Sequence, residues 1–207
     1  MELRNPVVLV HGIIDTEAVF KKMSTYLTER GWSVHRVNLT PNNGRESLEK
    51  LAQQVEDYIA VNFAPQQPID IVGFSMGGLV TRYYLQRLGG IERVQRYISI
   101  SAPNHGTLMA NALPFSGIVQ MRPQSDFLLD LNRDVVPLLG KLNFTWIWTP
   151  FDLMIVPAQS SRLSVGKELQ IPVLVHAWML KDKRVIKAVA DALSEDLPTN
   201  KEDFLHN

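Results

Sequence analysis

Apolar and polar positions fall into alternating blocks along the chain. Pro6 to Val10 is a valine-rich run that stops at His11-Gly12, the pattern of a fully buried parallel strand ending at a turn. Val19, Met23, Tyr26, Leu27 and Arg30 then recur at helical spacing, and Gly31 supplies the stop. Ser33 to Leu39 alternates as a strand does. After a loop rich in Pro, Asn and Gly, Ser47 precedes Leu48, Leu51, Ala52, Val55, Tyr58 and Ile59, which line one stripe of a helix closed off by Pro65 and Pro68. Ile69 to Phe74 reads as a strand, Gly77 to Leu88 as a helix ended by Gly89-Gly90, and Arg96 to Ser101 as a strand. Farther on, the aromatic and β-branched run Phe144 to Trp148 predicts a strand, Gln170 to Val175 another, and Arg184 to Leu193 a short helix. In between, Asn104 to Gly140 is broken by Pro114, Gly117, Pro123 and Pro137, which predicts short helices and loops lying over an edge of the sheet.

Strands that alternate with helices imply an α/β fold: a mainly parallel sheet of about six strands, helices on both faces, right-handed crossovers. In such sheets ligands bind beyond the carboxyl ends of the strands, which is where chemistry is to be sought. A chain of 207 residues that is 45% hydrophobic and 20% charged can bury a full core, and no linker or repeat divides it. Residues 1–194 are therefore expected to form a single domain, with 107–143 as a small lid or pocket-lining insertion and 195–207 as a polar, frayed tail. That insertion is too short for a large cap.

Charge and cysteine content narrow the function. Lys plus Arg equals Asp plus Glu at 21 each, so the chain has no electrostatic footprint for nucleic acid or for an anionic membrane, and any lipid contact must be apolar. The absence of cysteine excludes disulfides, a thiol nucleophile and thiolate metal sites. No apolar stretch approaches the roughly 20 residues of a spanning helix, and Met1 to Pro6 carries no basic region leading into an apolar one. The expectation is a cytoplasmic protein, at most peripheral to a membrane. No His pair or carboxylate cluster has metal-site spacing, no G-x-G-x-x-G follows a strand and no P-loop lysine is present, so no metal or cofactor is expected.

The strongest chemical signal is Gly73-Phe74-Ser75-Met76-Gly77, between a predicted strand and a predicted helix. This is the pattern of a nucleophile elbow: a turn so tight that the residues two before and two after the serine must lack side chains, leaving the hydroxyl exposed at the sheet edge. A serine hydroxyl needs a base to take its proton and usually an acid to hold that base. His176 follows the last predicted strand and Asp152 follows Trp148, in the order Ser, Asp, His expected after such an elbow. His105 is the rival base, in a Pro/Asn/Gly loop. His11-Gly12-Ile13 ends the first strand, so the Ile13 amide is paired with the Met76 amide as an oxyanion hole, with His11 shaping the loop.

Together these residues resemble the α/β-hydrolase superfamily, specifically the small bacterial triacylglycerol lipases and related cyanobacterial-type lipases. The likeness runs from Asn5 to Leu193. Asn5 to Ile13 looks like that family's first strand and oxyanion loop, Gly73 to Gly78 like its elbow, Asp152 to Pro157 like its acid segment, and His176 with Leu180 and Asp182 like its histidine segment. Pro103 to Thr107 resembles a supporting loop of these lipases. The resemblance implies a Ser75–Asp152–His176 triad that hydrolyses lipid esters through an acyl-enzyme, on membrane glycerolipids among other substrates. A thioesterase or acyltransferase on the same triad is the alternative, and a non-catalytic module of the same fold a more distant one. Leu108, Met109, Leu113, Phe115 and Ile155 are the candidate acyl-chain pocket, able also to touch a lipid surface.

Overall fold

The computed structural model describes residues 4–197; Met1 to Leu3 and residues 198–207, which include most of the expected tail and His206, lie outside the described residues. In chain order the elements are β1 (Val7–Val10), α1 (Lys21–Thr28), β2 (Val34–Val37), α2 (Leu48–Asn62), β3 (Ile69–Phe74), α3 (Met76–Arg87), β4 (Val94–Ile100), α4 (Ser116–Gln120), α5 (Asp126–Arg133), α6 (Val135–Leu139), β5 (Asn143–Trp148), β6 (Lys167–Gln170) and α7 (Lys183–Ala192). Ser47 caps α2 through a hydrogen bond from Lys50 N, and Asp182 caps α7 through one from Arg184 N at 2.8 Å.

The six strands form one parallel sheet in the order β2-β1-β3-β4-β5-β6. Successive side chains point to opposite faces, so each central strand feeds two cores. Val8 and Val10 of β1 join Ile69 and Ile71 of β3 under α2 and α3, whereas Val7, Leu9, Val72 and Phe74 pack on the other face with α1 and α7. Chain order reverses between β1 and β3, and at such a switch point a crevice opens beyond the strand ends. His11 and Ser75 flank it, because Val10 lies opposite Gly73 in the ladder.

Three local outcomes differ from the sequence expectation. The last strand is Lys167–Gln170, with its polar residues at the sheet edge, and Ile171 to Val175 is not strand. Ile171 N makes a final bond to Trp148 O, Pro172 has no N–H to continue the ladder, and the Thr149 side chain takes over both backbone groups of Val173, accepting from its N at 3.0 Å and donating to its O at 2.7 Å. The segment 104–140 does hold short helices, but Ile118, Met121, Phe127 and Leu131 are buried in the α2/α3 core rather than standing off over the site. The start of the tail is tied down: the Arg96 guanidinium donates to Glu195 O and Asn143 Nδ2 to Asp196 O.

Candidate active site

Ser75 sits between β3 and α3 with φ 54° and ψ −125°, a conformation that a non-glycine residue adopts only under steric strain. Its flanking glycines are obligatory for contact reasons. A Cβ on Gly73 would lie 2.5 Å from Thr81 Oγ1 and 2.8 Å from Gly77 O; one on Gly77 would lie 2.4 Å from both Val10 O and His11 O. The elbow is thus wedged against the end of β1. Ser75 N donates to Ile100 O at 2.8 Å, its side chain caps no helix amide, and Met76 opens α3, so the Met76 N–H has no acceptor within the helix.

The loop after β5 presents Asp152, nearly fully buried. One carboxylate oxygen, Oδ1, accepts from Met154 N and Ile155 N, both at 2.9 Å; the other, Oδ2, is 2.7 Å from His176 Nδ1. The two amides thereby aim the second oxygen at the imidazole, as a turn-forming aspartate does with its own backbone. The His176 ring also rests against Phe74, with centroids 4.9 Å apart, which sets it beside the elbow. Thr149 fixes the backbone of Val173, three residues before His176. The rival His105 is exposed and meets Asn132, with no bond to a carboxylate among the described residues.

On the opposite side, His11 is fully buried. Its Nε2 accepts from Leu39 N at 2.9 Å, which leaves Nδ1 as the protonated nitrogen, donating to Gly12 O at 2.8 Å. Burial lowers its pKa, in keeping with a neutral ring. By holding the Gly12 carbonyl, His11 turns the other end of that peptide, the Ile13 N–H, the opposite way. The Ile13 amide enters no backbone hydrogen bond among the described residues. Next to it Ile14 has φ 63° and is 79% exposed, an outlier for a β-branched residue. Asn42 grips the backbone of Ile14 and Asp15, its carbonyl oxygen accepting from Ile14 N at 2.7 Å and its Nδ2 donating to Asp15 O at 2.6 Å.

Asp15 is a site residue that the sequence reading missed. Burial pushes its carboxyl pKa up, opposed by the neighbouring His11, His176 and Lys181. Thr107 ends the loop that the sequence likened to a supporting one: its Oγ1 donates to Met154 O and accepts from Val156 N at 2.9 Å, tying the loop after β4 to the segment that carries Asp152. Asp15 belongs to no short motif; an aspartate four residues after His11 was the only available signal.

The candidate pocket residues divide. Leu108, Met109 and Leu113 are exposed on the loop after β4, together with Phe151, Leu153, Met154, Leu174, Val175 and Trp178 on the neighbouring loops. Phe115 packs on the core beneath the Arg45 guanidinium. Ile155 is 2% exposed and contributes its amide to Asp152.

Against known proteins, the family model for palmitoyl protein thioesterase matches residues 6–136. The human lysosomal thioesterase PPT2 (Homo sapiens) is 30% identical over 105 residues, covering 49% of this chain and 34% of that protein. The match spans about a third of the length of that curated relative. Among solved structures, the mature form of the Bacillus licheniformis lipase BlEst2 superposes with a TM-score of 0.76 at 14% identity, covering 93% of both chains. Aspergillus fumigatus lipase B gives 0.76 at 18% identity over 96% of this chain and 54% of its own. These likenesses establish the α/β-hydrolase fold, as the sheet order and elbow imply.

Proposed function

The chain belongs to the palmitoyl protein thioesterase family, and on that premise we propose that it is a serine hydrolase that cleaves fatty acyl thioesters through an acyl-enzyme. Ser75 is the nucleophile, His176 the general base and Asp152 the acid that orients it. The observation that carries this reading is the 2.7 Å bond between Asp152 Oδ2 and His176 Nδ1, beside a serine on a strained strand-to-helix turn.

Asp152 accepts from Nδ1–H, so Nε2 is the basic nitrogen of His176 and takes the Ser75 proton as Oγ attacks the carbonyl carbon. The developing oxyanion is met by the N–H groups of Ile13 and Met76, the first oriented by His11 and the second at the positive end of α3. Collapse expels the thiolate, which receives the proton held by His176. Water, deprotonated by the same imidazole, then attacks the acyl-serine and releases the fatty acid. The exposed apolar residues at the strand ends, Leu108, Met109 and Leu113 among them, give an acyl chain somewhere to lie and suit peripheral contact with a lipid surface.

Hydrolysis or transfer of oxygen esters is the second reading, favoured by that apolar rim and by a triad that treats either leaving atom alike. The test is intact-mass spectrometry of wild type and Ser75→Ala after exposure to a fluorophosphonate, followed by paired palmitoyl thioester and oxygen-ester substrates. One adduct on wild type only, with Ser75→Ala slower by on the order of a million-fold, is expected. No adduct on folded wild type would overturn the hydrolase reading; faster oxygen-ester than thioester turnover would favour the second.

A further inference from the structure

We propose that Asp15 is a charge filter for this site: its carboxylate disfavours substrates that bring negative charge close to the scissile carbonyl and favours neutral or cationic ones. The proposal deepens the hydrolase reading and rests on it.

The placement comes from Gly12. A Cβ added there would lie 3.0 Å from Ser75 Cβ and 3.3 Å from Asp15 Oδ2, so the carboxylate oxygen and the serine Cβ both border the space over Gly12. The backbone that carries Asp15 is held in place. The preceding Ile14 is in the left-handed region, and Asn42 holds both Ile14 N and Asp15 O. Among the described residues the carboxylate enters no ion pair and no hydrogen bond, so nothing in the fold consumes its charge. The charges that face it are few. His11 is occupied by Leu39 N and Gly12 O, His176 is bonded to Asp152, and Lys181, on the turn before α7, supplies the one permanent cation acting on it. A carboxylate partly stripped of water, beside the reacting atoms and without a structural partner, is the arrangement of a residue kept for what it does to the ligand.

The chemistry selected follows from Coulomb's law. A unit charge on the leaving group or near the carbonyl, several ångströms from Asp15 in a half-screened crevice, changes binding and transition-state energy by an amount that corresponds to about 5- to 20-fold in rate. An S-acyl cysteine within a neutral or basic peptide passes such a filter. A thiol bearing carboxylate or phosphate groups near the thioester does not.

The experiment compares two thioesters with one acyl chain, an acylthiocholine and an acyl-3-mercaptopropionate, by thiol release. The ratio of their kcat/KM values is taken for wild type and for the near-isosteric Asp15→Asn. Dividing one ratio by the other cancels the different intrinsic reactivities of the two thiols. The wild-type preference for the cation is expected to fall about 5- to 20-fold in Asp15→Asn, to weaken in wild type as salt is raised, and to reverse further in Asp15→Lys. A ratio unchanged within about twofold, in a variant that labels with fluorophosphonate and turns over both substrates, would overturn the filter while leaving the hydrolase reading intact. Wild type that neither labels nor turns over either thioester would overturn both.

Discussion

Replacing Gly77 by alanine tests whether the elbow is wedged against the first strand. The added methyl would sit 2.4 Å from the carbonyl oxygens of Val10 and His11 and 2.9 Å from Val10 C. All three obstacles are backbone. They cannot rotate aside, because β1 is hydrogen-bonded between β2 and β3 and its four residues are fully buried. Overpacking of this kind costs about 1–3 kcal/mol and sometimes more, and rigid obstacles put Gly77 at the upper end. Alanine recovers up to about 1 kcal/mol through helix propensity, less in the first turn. The net loss is expected to be about 2–3 kcal/mol, or roughly 5–10 °C in Tm for a chain of this size. Because α3 can relieve the clash only by moving away from β1, the Met76 and Ile13 amides separate, and kcat/KM should fall by on the order of 100-fold in addition. Thermal denaturation by circular dichroism and thioester turnover measure the two effects. A Gly77→Ala protein with the wild-type midpoint and rate would refute the wedge. Gly12→Ala supplies the contrast: its methyl meets side-chain atoms of Ser75, Asp15 and Phe74 at 3.0–3.4 Å, so stability should change little while turnover drops, the methyl occupying the space beside the nucleophile.

Asp152→Asn should lower kcat by about ten-thousand-fold with little loss of Tm, because the amide favours the wrong imidazole tautomer at His176; a loss below tenfold would remove Asp152 from the triad. Burial lowers the pKa of His11 below its usual 6.5 or so, so the folded chain takes up fewer protons than the unfolded one as pH drops through that value, and stability is lost on the acid side. Denaturant melts from pH 7 to 5 should show that loss reduced in His11→Gln, with His35 and His105, whose pKa values burial also lowers, contributing in the same direction; an unchanged slope would contradict the buried, neutral assignment. Burial likewise pulls the Arg82 guanidinium down to about 10. That guanidinium bridges Gln86, Asn104, Leu131 O and Asn132. Arg82→Ala removes the donor to Asn104 Oδ1 and Gln86 Oε1, both buried, and should cost about 3 kcal/mol in a urea melt, against which a loss under 1 kcal/mol would count.

The order of elements and the nucleophile were legible in the sequence because both are local. Valine-rich β1, the helical stripe from Leu48 to Ile59 and β3 followed by Gly73-Phe74-Ser75-Met76-Gly77 each carry their burial pattern or turn sterics within a dozen residues. The placement of Asp152 and His176 after later strands was legible too, as order along the chain. The apolar run Ile171 to Val175 misled for the same reason that the others succeeded: it has the composition of a buried strand, and only Thr149, more than twenty residues away, and Pro172 decide that it leaves the sheet. Asp15 and Asn42 were invisible, and Thr107 was legible only through the resemblance of its loop, because their roles lie in what they touch. Asn42 acts on a loop 27 residues earlier, and Thr107 bonds residues 47 and 49 positions later. A sequence records what each segment must bury and which turns it can make. The aim of a carboxylate or a backbone amide is set by which distant segments the closed sheet brings side by side, and that only the tertiary structure decided.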